Sequence, residues 1–459
     1  MTAAEAMPEL DAPAHDRAFL GHPKGLGYLS FVEGCERFSY YSMQSLLVLY
    51  MTKYLLLPEN IGNVAGLAWL RSWHYEGLEG QPLASAIFGD YTSLVYLTPI
   101  LGGLIADRWL GRRVTLILGG VVMALGHFLM AFEGMFLLAL ISLIVGVGLF
   151  KGNIASQVGE LYGPNDLRRA MAFQIFYIAI NVSVIAAPLI SGTLGEKVGW
   201  HYGFGTAGVV MVAGLLLYLK AGPWLPQDSR DAAKSGNPAP PMTASDWPRL
   251  FALLLLIPVL ALSMLTNQEI FNAYLVWADE QFQLTFFGTT LPTTYMITID
   301  AALSFAMLAA VALFWKWRTD RGHWEPDEIG KMILGSVFVI AGGLCLYMAA
   351  LTQGAGKIGL GWPLLFHLFN SIGFAHIMPV SLALFTKVAP RALNATVIGI
   401  YYLTFFSANK IVGVIGGWYS SMPTPQFWLM HVGTAVAGLF GFVLFRLAMG
   451  KVLKEPSPA

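Results

Sequence analysis

Hydrophobic and polar positions along this chain are grouped on the scale of whole helices. Apolar runs of roughly 20 residues recur between residues 26 and 448, separated by polar connections. A helix needs roughly 20 mostly apolar residues to cross a bilayer. The pattern predicts twelve spans, at 26–56, 86–106, 113–132, 135–160, 170–190, 200–219, 250–277, 292–315, 330–352, 362–387, 393–418 and 427–448. Alternating strands of about 10 residues, the mark of a membrane barrel, are missing. Turn-bounded strands are too few for a soluble α/β core. The predicted fold class is an all-α polytopic membrane protein.

Composition agrees with this. Of 459 residues, 56% are hydrophobic and 12% charged, against about 25% charged in a soluble chain. Lys and Arg set the orientation. With the N-terminus cytoplasmic, the tails and the connections on that side hold 20 of the 27 Lys and Arg. The opposite side holds Lys53, Arg71, Lys197 and Lys357, while Arg37, Lys151 and Lys410 fall within spans. Both termini are therefore expected in the cytoplasm and the chain in a bacterial inner (plasma) membrane. The first 24 residues lack the layout of a cleavable signal peptide, so the first span is expected to direct insertion. The net charge of zero gives nucleic-acid binding no support. Cys35 and Cys345 lie in apolar runs, in no metal-type spacing and with no sign of a disulfide scaffold.

Residues 221–248, AGPWLPQDSRDAAKSGNPAPPMTASDWP, are rich in Pro, Ser, Ala and Asp and read as a flexible linker. The predicted domains are a tail (1–25), a six-helix bundle (26–219), a linker (220–249), a second six-helix bundle (250–448) and a tail (449–459). ADRWLGRR after the second span is faintly echoed by TDRGHWEP after the eighth. Two six-helix halves related as parallel repeats resemble the layout of the major facilitator superfamily.

Seven ionisable residues lie well inside the predicted spans: Glu33, Glu36, Arg37, Lys151, Glu269, Asp300 and Lys410. Each costs about 2.5–3.5 kcal/mol on insertion scales if unpaired. Glu33, Glu36 and Arg37 are spaced i, i+3 and i+4, so they share one helix face. Arg37 offsets only one carboxylate. A second cation is needed, for which Lys151 is the candidate, or one Glu must hold a proton. The alternative is a purely structural cluster in the headgroup layer. In the second half, Glu269 sits among Asn267, Gln268 and Asn272, which suggests a polar cavity wall. Asp300 can titrate or pair with Lys410. His376 is expected to be hydrogen-bonded to its neighbours. Tyr40, Tyr41, Tyr96 and Tyr177, with Asn181, offer apolar faces and polar tips suited to an amphipathic solute. GxSxG, HExxH and the P-loop are missing, so an enzyme is not expected. Uphill transport would then use an ion gradient, most simply protons.

Five stretches together resemble the proton-dependent oligopeptide transporter family. Glu33–Tyr41 (EGCERFSYY) is similar to its ExxERFxYY motif. Leu94–Gly111 (LVYLTPILGGLIADRWLG) resembles its second-span signature. Gly148–Ile154 (GLFKGNI) is similar to GxxKPNI with Gly152 in place of proline, Phe176–Asn181 (FYIAIN) to FYxxIN, and Phe385–Pro390 (FTKVAP) to TKLAP. The matches run in order over nearly the whole chain. The resemblance implies symport of protons with di- and tripeptides by alternating access, with no cofactor beyond the proton. It implies that Glu33, Glu36 and Arg37 couple to Lys151, with Glu269 and Asp300 as second-half candidates. It implies that Tyr40, Tyr41, Tyr96, Lys151 and Asn181 line the peptide site, to which Gln44, Tyr177 and Glu269 are added as candidates. A monomer is expected.

Departures stand beside these matches. Gln44 occupies the position of an arginine thought to meet the peptide carboxylate. Phe374 occupies that of a glutamate taken to hold the peptide amine. Gln268–Glu269 reverses the expected acid–amide order, and one residue turns a helical side chain by about 100°. Glu269 or Asp300 is the expected replacement partner for a peptide amine. Two alternatives remain at this level: a symporter for another small amphipathic solute, or a non-transporting nutrient receptor on the same fold.

Overall fold

In a computed structural model of the protein, the described residues are 16–163, 166–226, 242–244, 246–390, 397–450 and 452–453. Most of the predicted linker, residues 227–241 and 245, lies outside them, as do residues 1–15 of the predicted tail and 454–459. The twelve predicted spans are twelve long helices. They are α1 (Lys24–Tyr50), α2 (Gly80–Ile105), α3 (Arg112–Leu129), α4 (Phe136–Glu160), α5 (Arg168–Ala187), α6 (Trp200–Ala221), α7 (Asp246–Gln268), α8 (Tyr295–Asp320), α9 (Glu328–Leu351), α10 (Gly361–Val388), α11 (Val397–Gly416) and α12 (Thr424–Met449).

Ten of these are long and apolar enough to cross a membrane by length and composition alone. The other two, α1 and α2, lack an apolar stretch of that length, and α1 is also the most enclosed. It buries 22 of its 27 residues. Small residues let its neighbours close in. Gly34 faces Ser183 of α5, and Cys35 packs against Gly214 of α6. Ser42 Oγ lies 2.8 Å from Ser191 Oγ, just beyond α5. Large apolar side chains such as Leu138, Val209, Phe440 and Leu447 point outward on α4, α6 and α12, as surfaces solvated by lipid require.

The span predicted as continuous over 250–277 is broken. α7 ends at Gln268, passes through a 3-10 turn at Glu269–Phe271, and resumes as a helix over Ala273–Gln281. A break frees backbone groups that lipid cannot satisfy. The Glu269 carboxylate accepts one of them, the Ala273 N–H, at 3.1 Å. A two-stranded hairpin follows, Thr285–Phe286 paired with Thr289–Thr290, turning through positive φ at Phe287 and Gly288.

One face of the molecule carries the linker ends, Ala221 and Asp246. At the opposite face the halves are joined. Lys410 of α11 pairs with Asp90 of α2, which also meets His74 at 2.7 Å and Tyr75 at 2.9 Å. Lys53 pairs with Asp279 at 2.7 Å. Glu196 accepts the N–H groups of Thr293 and Thr294 at 2.8 and 2.9 Å. The α2–α11 seam is tight because it is built on glycine. A Cβ placed on Gly413 would stand 2.8 Å from the Gly89 Cα. One apolar core therefore runs from the first half into the opposite-face ends of the second, through Tyr274, Trp277, Met296, Phe366 and Trp428. The rest of the second half has its own core around Leu256, Ile377, Phe385 and Phe442.

Candidate proton and substrate site

The charged cluster of α1 is buried. Glu33 and Arg37 are each 5% exposed and Glu36 is fully enclosed. Arg37 grips Glu36 with two nitrogens: Nη2 reaches Oε1 at 2.7 Å, and Nε meets Oε2. Glu33 Oε1 receives a share of the same Nε at 3.2 Å. Its second oxygen, Oε2, is buried without a hydrogen-bond partner. Arg37 thus balances Glu36 and leaves Glu33 as the unmatched carboxyl.

Lys151 does not join this cluster in the way the charge count predicts. Its Nζ stands over aromatic rings, 4.5 Å from the centroid of Tyr96, 5.3 Å from Tyr402 and 6.0 Å from Tyr40. It makes no ion pair among the described residues, although Glu33 remains within electrostatic range. A lysine facing tyrosine rings, with no carboxylate paired to it, is placed to meet an anion. Tyr40 and Tyr41 meet edge to face at 5.1 Å. Tyr96 stacks on Phe405 of α11 at 4.7 Å, and Tyr41 approaches Phe271 at the break after α7 at 6.3 Å. Lys151 is therefore ringed by tyrosines from α1, α2 and α11, with Tyr402 and Phe405 contributed by the second half.

Tyr177 of α5 is 58% exposed, yet within electrostatic range of Tyr41 and Tyr402. It is thus exposed on the side of α5 that faces Tyr41 and, in the second half, Tyr402. Asn181 is half-buried, and its amide donates to the Tyr177 carbonyl of its own helix at 2.8 Å, so it is not drawn into the tyrosine ring. Gln44 is enclosed on α1, its Oε1 buried without a partner.

The second-half residues take other partners than predicted. Asp300 does not pair with Lys410, which belongs to Asp90. Asp300 Oδ1 lies 2.9 Å from His367 Nδ1 on α10, and His367 Nε2 lies 2.7 Å from the Tyr274 hydroxyl. Glu269 does not face a cavity. It is fully enclosed, holds the Ala273 N–H, and approaches His431 Nε2 of α12 at 3.4 Å. Its amide neighbour Asn272 is likewise taken up by helix seams: Oδ1 accepts from Ser85 of α2 and Nδ2 donates to the Val412 carbonyl. His376 is held as expected, accepting from Trp315 Nε1 at 3.1 Å and bonded through Nδ1 to the Ile372 carbonyl at 2.8 Å. Phe374 packs into the second-half core.

Sequence reasoning missed His367, His431 and Tyr402. A signal existed for the first. His367, Asn370 and Ser371 fall on one helical face, and Asp300 and Ser304 on another, at spacings of three and four. Ser304 and Ser371 meet at 3.0 Å in the same seam.

The sequence profile of the Major Facilitator Superfamily matches residues 49–414. The chain is 30% identical to the uncharacterized transporter YclF of Bacillus subtilis, covering 96% of both proteins. It is 28% identical to the peptide transporter YePEPT of Yersinia enterocolitica, over 87% of this chain and 89% of that one. It is 27% identical to a di-/tripeptide transporter of Lactococcus lactis, over 96% and 97%. Among solved structures, peptide transporter POT in complex with sulfate superposes with a TM-score of 0.81 at 25% identity, covering 98% of this chain and 99% of that one. The chain belongs to the Major Facilitator Superfamily and, within it, to the proton-dependent oligopeptide transporter family.

Proposed function

We propose that the protein is a secondary transporter that carries di- and tripeptides together with protons, by alternating access between its two halves. The observation that carries this reading is the presence of a carboxyl with one unsatisfied oxygen, Glu33, and an ammonium in no ion pair among the described residues, Lys151, beside tyrosines from both halves. Relatives of matching length named as peptide and di-/tripeptide transporters support the substrate class.

The charges suggest how the two fluxes couple. With Glu33 protonated, the Arg37–Glu36 pair is neutral and Lys151 is the surplus charge, ready for a peptide carboxylate. When the peptide leaves, Lys151 is again unbalanced and favours ionisation of Glu33, which releases the proton. Proton and peptide thus stabilise each other's binding, and neither group needs a cofactor. The ion pairs and glycine seam at the face opposite the linker form the closed gate. The exposed Tyr177 wall marks the open side, which the Lys and Arg bias assigns to the cytoplasm. The protein would then lie in a bacterial inner membrane with both termini cytoplasmic, acting as a monomer.

A second reading, symport of another small amphipathic solute, is favoured by one observation. Phe374 fills an apolar core where the family carries a glutamate. Counterflow in proteoliposomes preloaded with dialanine separates the two. Exchange of labelled dialanine, lost in Lys151→Ala, supports peptide transport. No exchange of any small peptide by folded protein would transfer support to the other solute class.

A further inference from the structure

Four buried histidines lie in the helices, and they differ in what they can do. His376 has both ring nitrogens engaged. His127 is enclosed, with neither nitrogen bonded. His431 meets Glu269, but both side chains are fully enclosed and that carboxylate is already holding a backbone N–H. His367 alone among these combines a close carboxylate with partial access. It lies 2.9 Å from Asp300, whose side chain is 11% exposed.

We infer that Asp300 and His367 hold a second exchangeable proton, on a cross-helix pair between α8 and α10 oriented by Tyr274. With one fewer proton the pair carries an uncompensated negative charge in the interior. His367 then donates from Nδ1 to the carboxylate and accepts the Tyr274 O–H at Nε2. A proton added to the pair leaves it neutral overall, with Nε2–H donating to the Tyr274 oxygen. No covalent bond other than O–H or N–H changes. The two groups are in direct hydrogen-bond contact, so an added proton is held between them.

Among the described residues, neither Asp300 nor His367 has a second ion-pair partner. From α7 and its continuation the titratable neighbour is Tyr274, which also packs on Trp428 of α12 with ring centroids 6.3 Å apart. α12 brings His431, committed to Glu269. From α1, Tyr41 lies within electrostatic range of Asp300. α9 meets α10 here through Gly342 and Phe338, against Phe366 and Phe369. The nearest cation of α11, Lys410, is bound to Asp90. Since Tyr41 belongs to the proposed substrate wall, the pair can sense what occupies it. That last role rests on the transport reading, whereas the proton site itself does not.

The test is nitrogen-15 NMR of histidine rings in the full chain in nanodiscs, with the His367 signal assigned from its loss in His367→Gln. Between about pH 8 and pH 5, His367 should pass from one ring N–H to two, and in Asp300→Asn it should stay singly protonated over that range. A ring whose protonation is unchanged across the range in the wild type, or that titrates identically in Asp300→Asn, overturns the proposal. A second readout is the number of protons moved per dialanine at transport reversal. It should fall by one in His367→Gln, which preserves a hydrogen-bonding side chain and leaves the proton of Glu33, without which neither proton is carried through the cycle. If dialanine is not transported at all, the transport reading fails while the NMR result still decides the site.

Discussion

Arg37 Nε lies 3.2 Å from Glu33 Oε1, sharing with Glu33 a nitrogen that it already commits to Glu36. This inequality between two carboxylates three residues apart separates a structural acid from an exchangeable one. Glu36 is fixed by two contacts in a fully enclosed position. Removing its charge leaves the Arg37 guanidinium short of its main partner, and breaking a buried pair in this way costs about 3–5 kcal/mol. Glu36→Gln should therefore unfold at clearly lower temperature in detergent than the wild type, while Glu33→Gln should shift little. Thermal unfolding of the two variants side by side checks this.

Lys151 should govern affinity rather than folding. It has no ion pair among the described residues, so its loss strands no partner. A charged hydrogen bond to a carboxylate contributes about 1.5–3 kcal/mol. Lys151→Ala should thus weaken peptide binding by about tenfold to a hundredfold, with an unfolding temperature close to wild type. Calorimetric titration with a dipeptide, and with the same dipeptide amidated at its C-terminus, measures it. The amidated ligand should bind wild type and variant alike.

The gate opposite the linker depends on the approach of Gly89 to Gly413. A side chain at Gly89 would meet the α11 backbone, which cannot give way as a flexible side chain could. Gly89→Val should hold that face open, and Asp90→Asn should bias it the same way by releasing Lys410. Spin labels at Glu59 and Ala355, on exposed loops of the two halves at that face, should report longer distances in both variants.

Outside the membrane, Glu325 in the α8–α9 connection is held below the usual carboxylate range, chiefly by the hydrogen bond from Lys331 and next by Thr319, whose Oγ1 lies 2.5 Å away. A depressed carboxyl contributes stability that is complete above its unfolded pKa of about 4.3. That contribution is lost as the pH falls through the lower folded value. The group is partly exposed and screened by solvent, so the effect is small. Glu325→Gln should unfold slightly earlier than wild type at neutral pH, and the gap should close in acid.

Much of this was legible in the sequence because lipid imposes its own reading. Twelve apolar runs became twelve helices, and Glu33, Glu36 and Arg37 shared a face because helix geometry alone decides that. What depended on packing between helices was not legible. Asp300 had two conceivable partners by composition, and only the placement of α10 beside α8 gave it His367 and left Lys410 to Asp90. Glu269 looked like a cavity residue among amides. The break after α7 instead turned it into an acceptor for an orphaned backbone N–H. Lys151 was expected among carboxylates, and its height in α4 set it among the tyrosines.

Glu33 carries the coupled proton in this mechanism. That role is tested most directly by uptake of labelled dialanine into proteoliposomes, with and without an inward proton gradient, for wild type and Glu33→Gln. The wild type should accumulate dialanine under the proton gradient, and Glu33→Gln should lose that accumulation while retaining counterflow exchange. Accumulation by Glu33→Gln that still follows the proton gradient would contradict that role.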